Sequence, residues 1–344
     1  MVKQKIKKRV TIKDIAKETG YSVATISYVL NKTGKFYSKE TEKKILNAVE
    51  RLDYYPDAIA KGLKTKKTNN IAFMVPFISD FFAGVFLGVQ EATVKENYSV
   101  ALYSSEHDAK QEKKNINSIL SNRLDGVIIA SAILDEKNIE KLIKENIPLV
   151  IIEKFYKDQK VPNITIKNIE ISKEAVDYLI SLGHKKIGFI SGPISIGKLE
   201  NRFKGYKEAF KENNLPHDES HVFISESLVR EQLNNSYEYI KKNLNKIKEC
   251  TALFITSDIV AIPTIKAIFD DGLKVPDDIS IIGFDGLEIS KYVRPPISTI
   301  IQPRYDMGYR SMEMLSGIMD GRVVENTELK AEFIIRESSV RDLD

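Results

Sequence analysis

A chain of 344 residues is too long for one ordinary core and points to two or three domains. Hydrophobic residues at 42% suffice for globular packing, while the single cysteine, Cys250, excludes an internal disulfide framework and a cysteine-rich zinc site. The formal net charge of +4 is unevenly spread: residues 1–67 hold 17 Lys and Arg against 7 Asp and Glu, and the remainder holds 35 against 41. The N-terminal part is therefore the candidate polyanion-binding module. Its first ten residues are basic but lead into no apolar stretch of signal-peptide length. No run approaches the roughly 18 apolar residues of a membrane span. A cytoplasmic protein with no membrane association is the expectation.

The first element lies in TIKDIAKETG. Thr11 is placed to cap a helix, and Ile12, Ile15 and Ala16 share one face at helical spacing. Gly20 stands where a left-handed stop needs a residue without Cβ. Ser22 can cap a second helix, with Val23, Ile26, Val29 and Leu30 as its apolar positions. A helix, a short glycine turn and a second helix make a helix-turn-helix, although an ordinary helical hairpin has the same pattern. A third helix is expected over residues 38–53, with Ile45, Leu46, Val49 and Leu52 on one face.

The string SVATISYVLN, followed by YYPDAIAKGL, closely resembles the headpiece of the lactose-repressor/galactose-repressor (LacI/GalR) family. The resemblance implies that the second helix enters the major groove of double-stranded DNA. Val23 and Ala24 match positions that read base edges; both are apolar here, so they suit a thymine methyl and make no bidentate hydrogen bond. Tyr28 stands where many relatives carry Arg, which rules out transferring a relative's operator. Thr11, Ser22, Thr25, Ser27 and Asn31 complete the expected DNA-binding set, chiefly as phosphate-positioning groups.

Residues 57–64, DAIAKGLK, match the family's hinge helix. Such a helix is too short to be stable alone, and Gly62 costs it about 1 kcal/mol more. Leu63 matches the wedge that opens a minor-groove base step. Ile59 and Ala60 would face a partner hinge, and Lys61 and Lys64 would lie by the phosphates. Residues 65–70, TKKTNN, read as linker.

From residue 70 short apolar runs alternate with helical stretches: IAFMV, SVALYSS, GVIIA and PLVII in one series, then NITI, KIGFIS, HVFIS, ALFIT and ISIIGF. Two such series predict two doubly wound parallel-sheet lobes. Ligands in such folds bind beyond the carboxyl ends of strands.

The strings VPFISDFFAGVFLGVQEA, LGHKKIGFISGP, VPDDISIIGFDGLEIS and RPPISTIIQP resemble the periplasmic-binding-protein-like core of the same family. The fold class implied is an all-α helix-turn-helix headpiece plus an α/β core of two doubly wound parallel-sheet lobes. The domains expected are residues 1–56, a hinge and linker over 57–69, and a core over 70–344. Lobe one would take 70–165 and 293–325, and lobe two 166–292 and 326–344.

The resemblance also carries an effector site. Phe81 and Phe82 match aromatic positions on the first cleft loop, with a plain core role as the alternative. Arg202 matches an arginine that binds polar groups, and Asp285 an acid that accepts hydroxyl or amine hydrogen bonds. Ser257 and Asp258 lie on another cleft loop, where Asp258 reads equally as a helix cap. Glu153 sits where relatives often have Asp. Ser227 or Leu228 falls where some relatives place an aromatic stacker, and neither supplies one. An arginine among carboxylates suits a polar, polyhydroxylated molecule such as a sugar.

The reading is a regulator, most simply a repressor, acting as a homodimer on a near-palindromic operator under a small effector. No catalytic residue, cofactor or metal is expected: His107, His184, His217 and His221 are scattered. A close alternative replaces the small effector with a phosphocarrier protein as co-repressor, because the C-terminal half resembles the catabolite control proteins. A small-molecule carrier and a sugar-processing enzyme are the remaining rivals.

Overall fold

The computed structural model describes residues 10–31, 37–55, 67–130, 135–153, 161–195, 197–228 and 233–340. The hinge expectations at Ile59, Ala60, Lys61, Leu63 and Lys64 lie outside these residues. The chain divides into two compact units, residues 1–68 and 69–344.

In the first unit α1 (Ile12–Thr19), α2 (Val23–Asn31) and α3 (Lys39–Arg51) surround a small core of Ile15, Ile26, Val29, Ile45, Ala48 and Tyr54. The ends of these helices follow from single residues. Asp14 accepts hydrogen bonds from the Thr11 backbone N–H at 2.8 Å and its hydroxyl at 2.7 Å. Gly20 turns left-handed at φ 76°, and its N–H closes on Ala16 O at 2.9 Å. The Ser22 and Ser38 hydroxyls accept from the backbone N–H of Thr25 and Thr41, both at 3.1 Å. Leu46 departs from expectation. It is exposed, because Ile45 and Ala48 define the inward stripe and the next residue round from Ile45 points elsewhere.

The second unit holds two six-stranded sheets. The first has the order β11-β5-β4-β3-β1-β2, built from β1 (Asn70–Val75), β2 (Ser99–Ser104), β3 (Gly126–Ile129), β4 (Leu149–Ile152), β5 (Asn163–Ile166) and β11 (Thr327–Leu329). The second has the order β12-β10-β9-β8-β6-β7, from β6 (Ile187–Ser191), β7 (Val222–Ile224), β8 (Ala252–Ile255), β9 (Ser280–Asp285), β10 (Ser298–Ile301) and β12 (Glu332–Ile334). Every pairing is parallel except β10 with β12. Strands such as GVII and ALFI are buried at every position, as parallel strands covered on both faces must be.

Helices α4 (Asp80–Lys95), α5 (Ala109–Ser121), α6 (Glu136–Lys144) and α11 (Arg304–Met319) belong to the first lobe; α7 (Asn168–Ser181), α8 (Gly197–Glu212), α9 (Leu233–Ile247) and α10 (Asp258–Phe269) belong to the second. Two helix pairs meet backbone to backbone. A Cβ on Gly88 would lie 2.0 Å from Tyr305 O, and one on Gly308 1.9 Å from Val85 O, so glycine alone lets α4 and α11 cross this closely. Gly205 does the same for α8 against Ile169 O of α7, at 2.2 Å.

The lobe boundaries differ from expectation at three places. NITI is the fifth strand of the first sheet, pairing Ile151 with Asn163, and does not open the second series. Ser298–Ile301 pairs with β9, so the chain returns to the first lobe only at α11 and not from residue 293. Thr327–Leu329 pairs with β5 of the first lobe, and the last return falls after it instead of at residue 326. Strands of three or four residues carry too little pattern to name their sheet; the pairing is set by long-range register.

Candidate functional site

The outer face of α2 is the first candidate. Ile26 and Val29 anchor it inward, which leaves Ser22, Val23, Ala24, Tyr28 and Asn31 exposed, with Thr25 and Ser27 half-buried. Several polar groups on this face are held by local bonds. The Ser22 and Thr25 hydroxyls lie 2.9 Å apart, and the Asn31 side-chain amide donates to Ser27 O at 2.8 Å. Asn31 and Thr25 are thus rigidly presented. The Tyr28 phenol is the longest reach on this face, and Ala24, one turn before it, is apolar. Lys44 stands over the Tyr21 ring at 5.4 Å, a cation beside the turn that sequence reading did not single out.

The second candidate is the cleft between the two sheets of the core. Phe81 and Phe82 open α4 and pack edge to face at 5.2 Å. Phe77 adds a second edge contact to Phe82 at 5.6 Å, and the His107 ring lies against Phe77 at 4.9 Å. Opposite this aromatic wall α8 presents Lys198 and Arg202, the loop after β8 presents Thr256 and Ser257, and the last residue of β9 is Asp285. These residues with Leu228 enclose about 60 Å³, below the several hundred typical of a ligand pocket.

Arg202 is the centre of the site. It is 1% exposed, its Nε donates to Asn168 Oδ1 at 3.0 Å and its Nη1 to Thr256 O at 2.9 Å. Its Cζ lies 3.5 Å from the Phe284 ring centroid, a stacked cation–π contact. Two carboxylates flank it, Glu153 at 3.8 Å and Asp285 at 3.9 Å. Both are too far for hydrogen bonds, and both are buried, so their charges interact through a poorly screened medium.

Glu153 comes from the first lobe, where its Oε1 accepts from the Thr165 hydroxyl at 3.1 Å and the Ile166 N–H at 3.2 Å. Both acids hold a backbone that L-residues rarely adopt: φ is 62° at Glu153 and 102° at Asp285. Burial raises the Asp285 carboxyl above the usual range, and Arg202 opposes that rise. Gln302 donates to Asp285 Oδ1 at 2.7 Å.

Phe81, Phe82, Arg202, Ser257 and Asp285 therefore meet at one cavity, and Glu153 stands behind Arg202. Phe81 and Phe82 satisfy both readings at once, being core residues whose rings also line the cleft. Asp258 is the correction. It does not line the cavity and it caps no helix, since Ser257 occupies that position. Its carboxylate accepts from the Leu287 N–H and the Thr299 hydroxyl, each at 2.7 Å, tying α10 to the strand ends behind it. Burial and the nearby Asp285 charge push its carboxyl up to about 8. Leu228 lines the cleft where an aromatic stacker was in question, and no aromatic replaces it there.

Sequence reading missed Phe77, His107, Asn168, Lys198, Thr256 and Gln302. Lys198 alone had a usable signal, lying four residues before Arg202 on one helix. His184 is structural: its ring nitrogens meet the Thr251 and Ser280 hydroxyls at 2.9 and 3.1 Å.

Comparison with known proteins matches residues 11–57 to the model of bacterial regulatory proteins, lacI family, and residues 176–339 to a periplasmic binding protein-like domain. Catabolite control protein A of Priestia megaterium is 34% identical over 323 residues, covering 92% of this chain and 95% of that protein. The chain belongs to the lacI family of bacterial regulatory proteins. As a lacI-family member it is a DNA-binding transcriptional regulator rather than an enzyme. The HTH-type transcriptional repressor PurR of Histophilus somni (strain 129Pt) is 32% identical over 332 residues, covering 95% and 98%. The structure of the lac repressor dimer bound to operator shares the lacI-family fold, with a TM-score of 0.86 at 23% identity, covering 97% of this chain and all of that one. Among the described residues no helix is long and apolar enough to cross a membrane.

Proposed function

We propose that this regulator is a cytoplasmic repressor that binds a near-palindromic operator as a homodimer and responds to a small polar effector, a sugar or sugar derivative, in the inter-lobe cleft. One observation carries the reading: a buried arginine stands between a first-lobe and a second-lobe carboxylate, in a core joined to a basic headpiece. Any ligand that pairs with Arg202, Glu153 or Asp285 changes how the two lobes are held. A coupling of about 1–3 kcal/mol is enough for useful regulation.

The DNA contacts proposed are Thr11, Ser22, Val23, Ala24, Thr25, Ser27, Tyr28 and Asn31 on the headpiece, and Ile59, Ala60, Lys61, Leu63 and Lys64 by resemblance at the hinge. The effector contacts proposed are Phe81, Phe82, Arg202, Ser257 and Asp285, with Glu153 as the charge behind Arg202. The domain limits proposed are a headpiece over residues 1–56, a hinge and linker over 57–69 and a core over 70–344.

The similarity to catabolite control protein A favours one second reading, control by a phosphocarrier protein as co-repressor. The test is selection of bound sequences from a random duplex library with the full-length protein at moderate salt. A palindromic motif with a flexible central step supports the proposal. Enrichment only after a phosphocarrier protein is added supports the second reading. No enrichment in either case removes both.

A further inference from the structure

The acid wall of the cleft is held from behind by residues outside it. Asp285 ends β9 with φ 102°, and Gly286 continues the turn at φ 63°. A Cβ on Gly286 would lie 2.6 Å from Ile301 Cα, so the turn is pressed against β10. Such a backbone persists only where its surroundings over-determine it. Gln302 and Arg304 supply two of the restraints. Gln302 is 2% exposed, and its Nε2 donates to Asp285 Oδ1 at 2.7 Å. Its Oε1 is buried and meets no hydrogen-bond partner among the described residues, so the carboxamide serves Asp285 alone. A leucine would fill that space with no polar atom left over. Only Gln302 and Pro303 lie between β10 in the second lobe and α11 in the first. Arg304 then opens α11. Its Nη2 lies 3.3 Å from Gly286 O in the second lobe, and its Nη1 lies 3.5 Å from Asp80 O at the start of α4 in the first. Its stem rests on Gly84, where an added Cβ would meet Arg304 Cβ at 3.3 Å. The residues after Asp80 are Phe81 and Phe82, which form the opposite wall of the cleft.

We propose that Gln302 and Arg304 are positioning residues of the effector site: Gln302 holds the Asp285 carboxylate, and Arg304 ties the turn behind it to the start of α4, so that the acid wall and the aromatic wall move together. The proposal rests on the cleft being the effector site. Neither residue lines the cavity. A ligand that draws on Asp285 therefore acts on the aromatic wall through the crossover as well as across the cavity.

The test is hydrogen exchange of the full-length, ligand-free protein at single-residue resolution, corrected for the intrinsic rate at each pH. The Leu287 N–H, bonded to Asp258 Oδ2, reports the acid wall, and the Ala83 N–H, bonded to Ser79 O, reports the aromatic wall. Gln302→Leu should speed exchange at both by about tenfold, the scale of one lost charge-assisted hydrogen bond. In an Arg304→Met background the same change should speed Leu287 alone. Gln302→Glu adds a pH profile that a packing role would not produce. Two carboxyls in contact share one proton, so exchange at both amides should be close to wild type at about pH 5 and rise toward about pH 8. Should Gln302→Leu fail to fold, that profile decides alone. Unchanged exchange at Leu287 in Gln302→Leu, unchanged exchange at Ala83 with Arg304 in place, or a flat Gln302→Glu profile would each overturn the proposal and leave the effector-site reading standing. A rise in melting temperature with glucose or ribose that Asp285→Asn retains in full places sugar binding outside the cleft, and both then fall.

Discussion

Asp258 ties two strand ends to a helix with an acid that is fully buried, and its pH behaviour follows from that. In the unfolded chain its carboxyl titrates near 3.8, and in the folded protein near 8. The folded state therefore holds the proton over the interval in which the unfolded state has lost it, and stability falls as pH rises from about 4 through about 8. Asp285 shifts in the same direction. Asp258→Asn should flatten that part of the stability curve, and chemical denaturation at a series of pH values reads it directly. An Asn variant with the wild-type slope would place the proton elsewhere. On the headpiece, Tyr28 offers one phenolic hydroxyl on an otherwise apolar reading strip. Tyr28→Phe should relax operator choice at one base position or weaken binding by about 1 kcal/mol. A binding-site selection profile identical to wild type would deny the hydroxyl any contact with DNA.

At the scale of elements, the crossing of α4 and α11 rests on Gly88 and Gly308, each facing the other helix's backbone carbonyl. No rotamer change relieves such a clash, because the obstructing atom is main chain. Gly308→Ala should cost at least about 1–3 kcal/mol, the usual penalty of overpacking, against the small gain in helix propensity that alanine brings. Thermal unfolding measures it, and an unchanged melting temperature would mean that the two helices separate freely. Since α4 carries Phe81 and Phe82 at its start, a shifted crossing also displaces the aromatic wall of the cleft. The third element-level expectation concerns the hinge. If Leu63 is the wedge its resemblance implies, Leu63→Ala should bind operator more weakly and bend it less; equal bending in a circular-permutation gel would remove that role.

For the whole molecule, the charge asymmetry sets the expected ionic-strength dependence. A headpiece making 6–10 phosphate contacts would lose about 10³–10⁵ in affinity between 50 and 200 mM salt. Deleting residues 1–67 should abolish this salt-dependent binding, because the remaining chain is net negative. Salt-dependent DNA affinity in the truncated core would contradict that division of labour.

Local order was legible in the sequence wherever a single residue or a short period controls it. Thr11, Gly20, Ser22 and Ser38 mark helix ends because an orphan N–H or a left-handed turn tolerates few residue types. Apolar runs announced buried parallel strands, and the uneven charge separated the basic unit from the acidic one. Family resemblance then pointed to Phe81, Phe82, Arg202, Ser257 and Asp285. Tertiary structure alone decided the rest. It assigned NITI, STII and TEL to their sheets, since three or four residues fit either register and only a distant partner strand discriminates. It turned Asp258 from a cleft residue into a staple and brought Lys198 across to Phe81. Those outcomes depend on which lobe each group faces, and facing is set by helix rotation and lobe packing, neither of which is written in any local stretch of the chain.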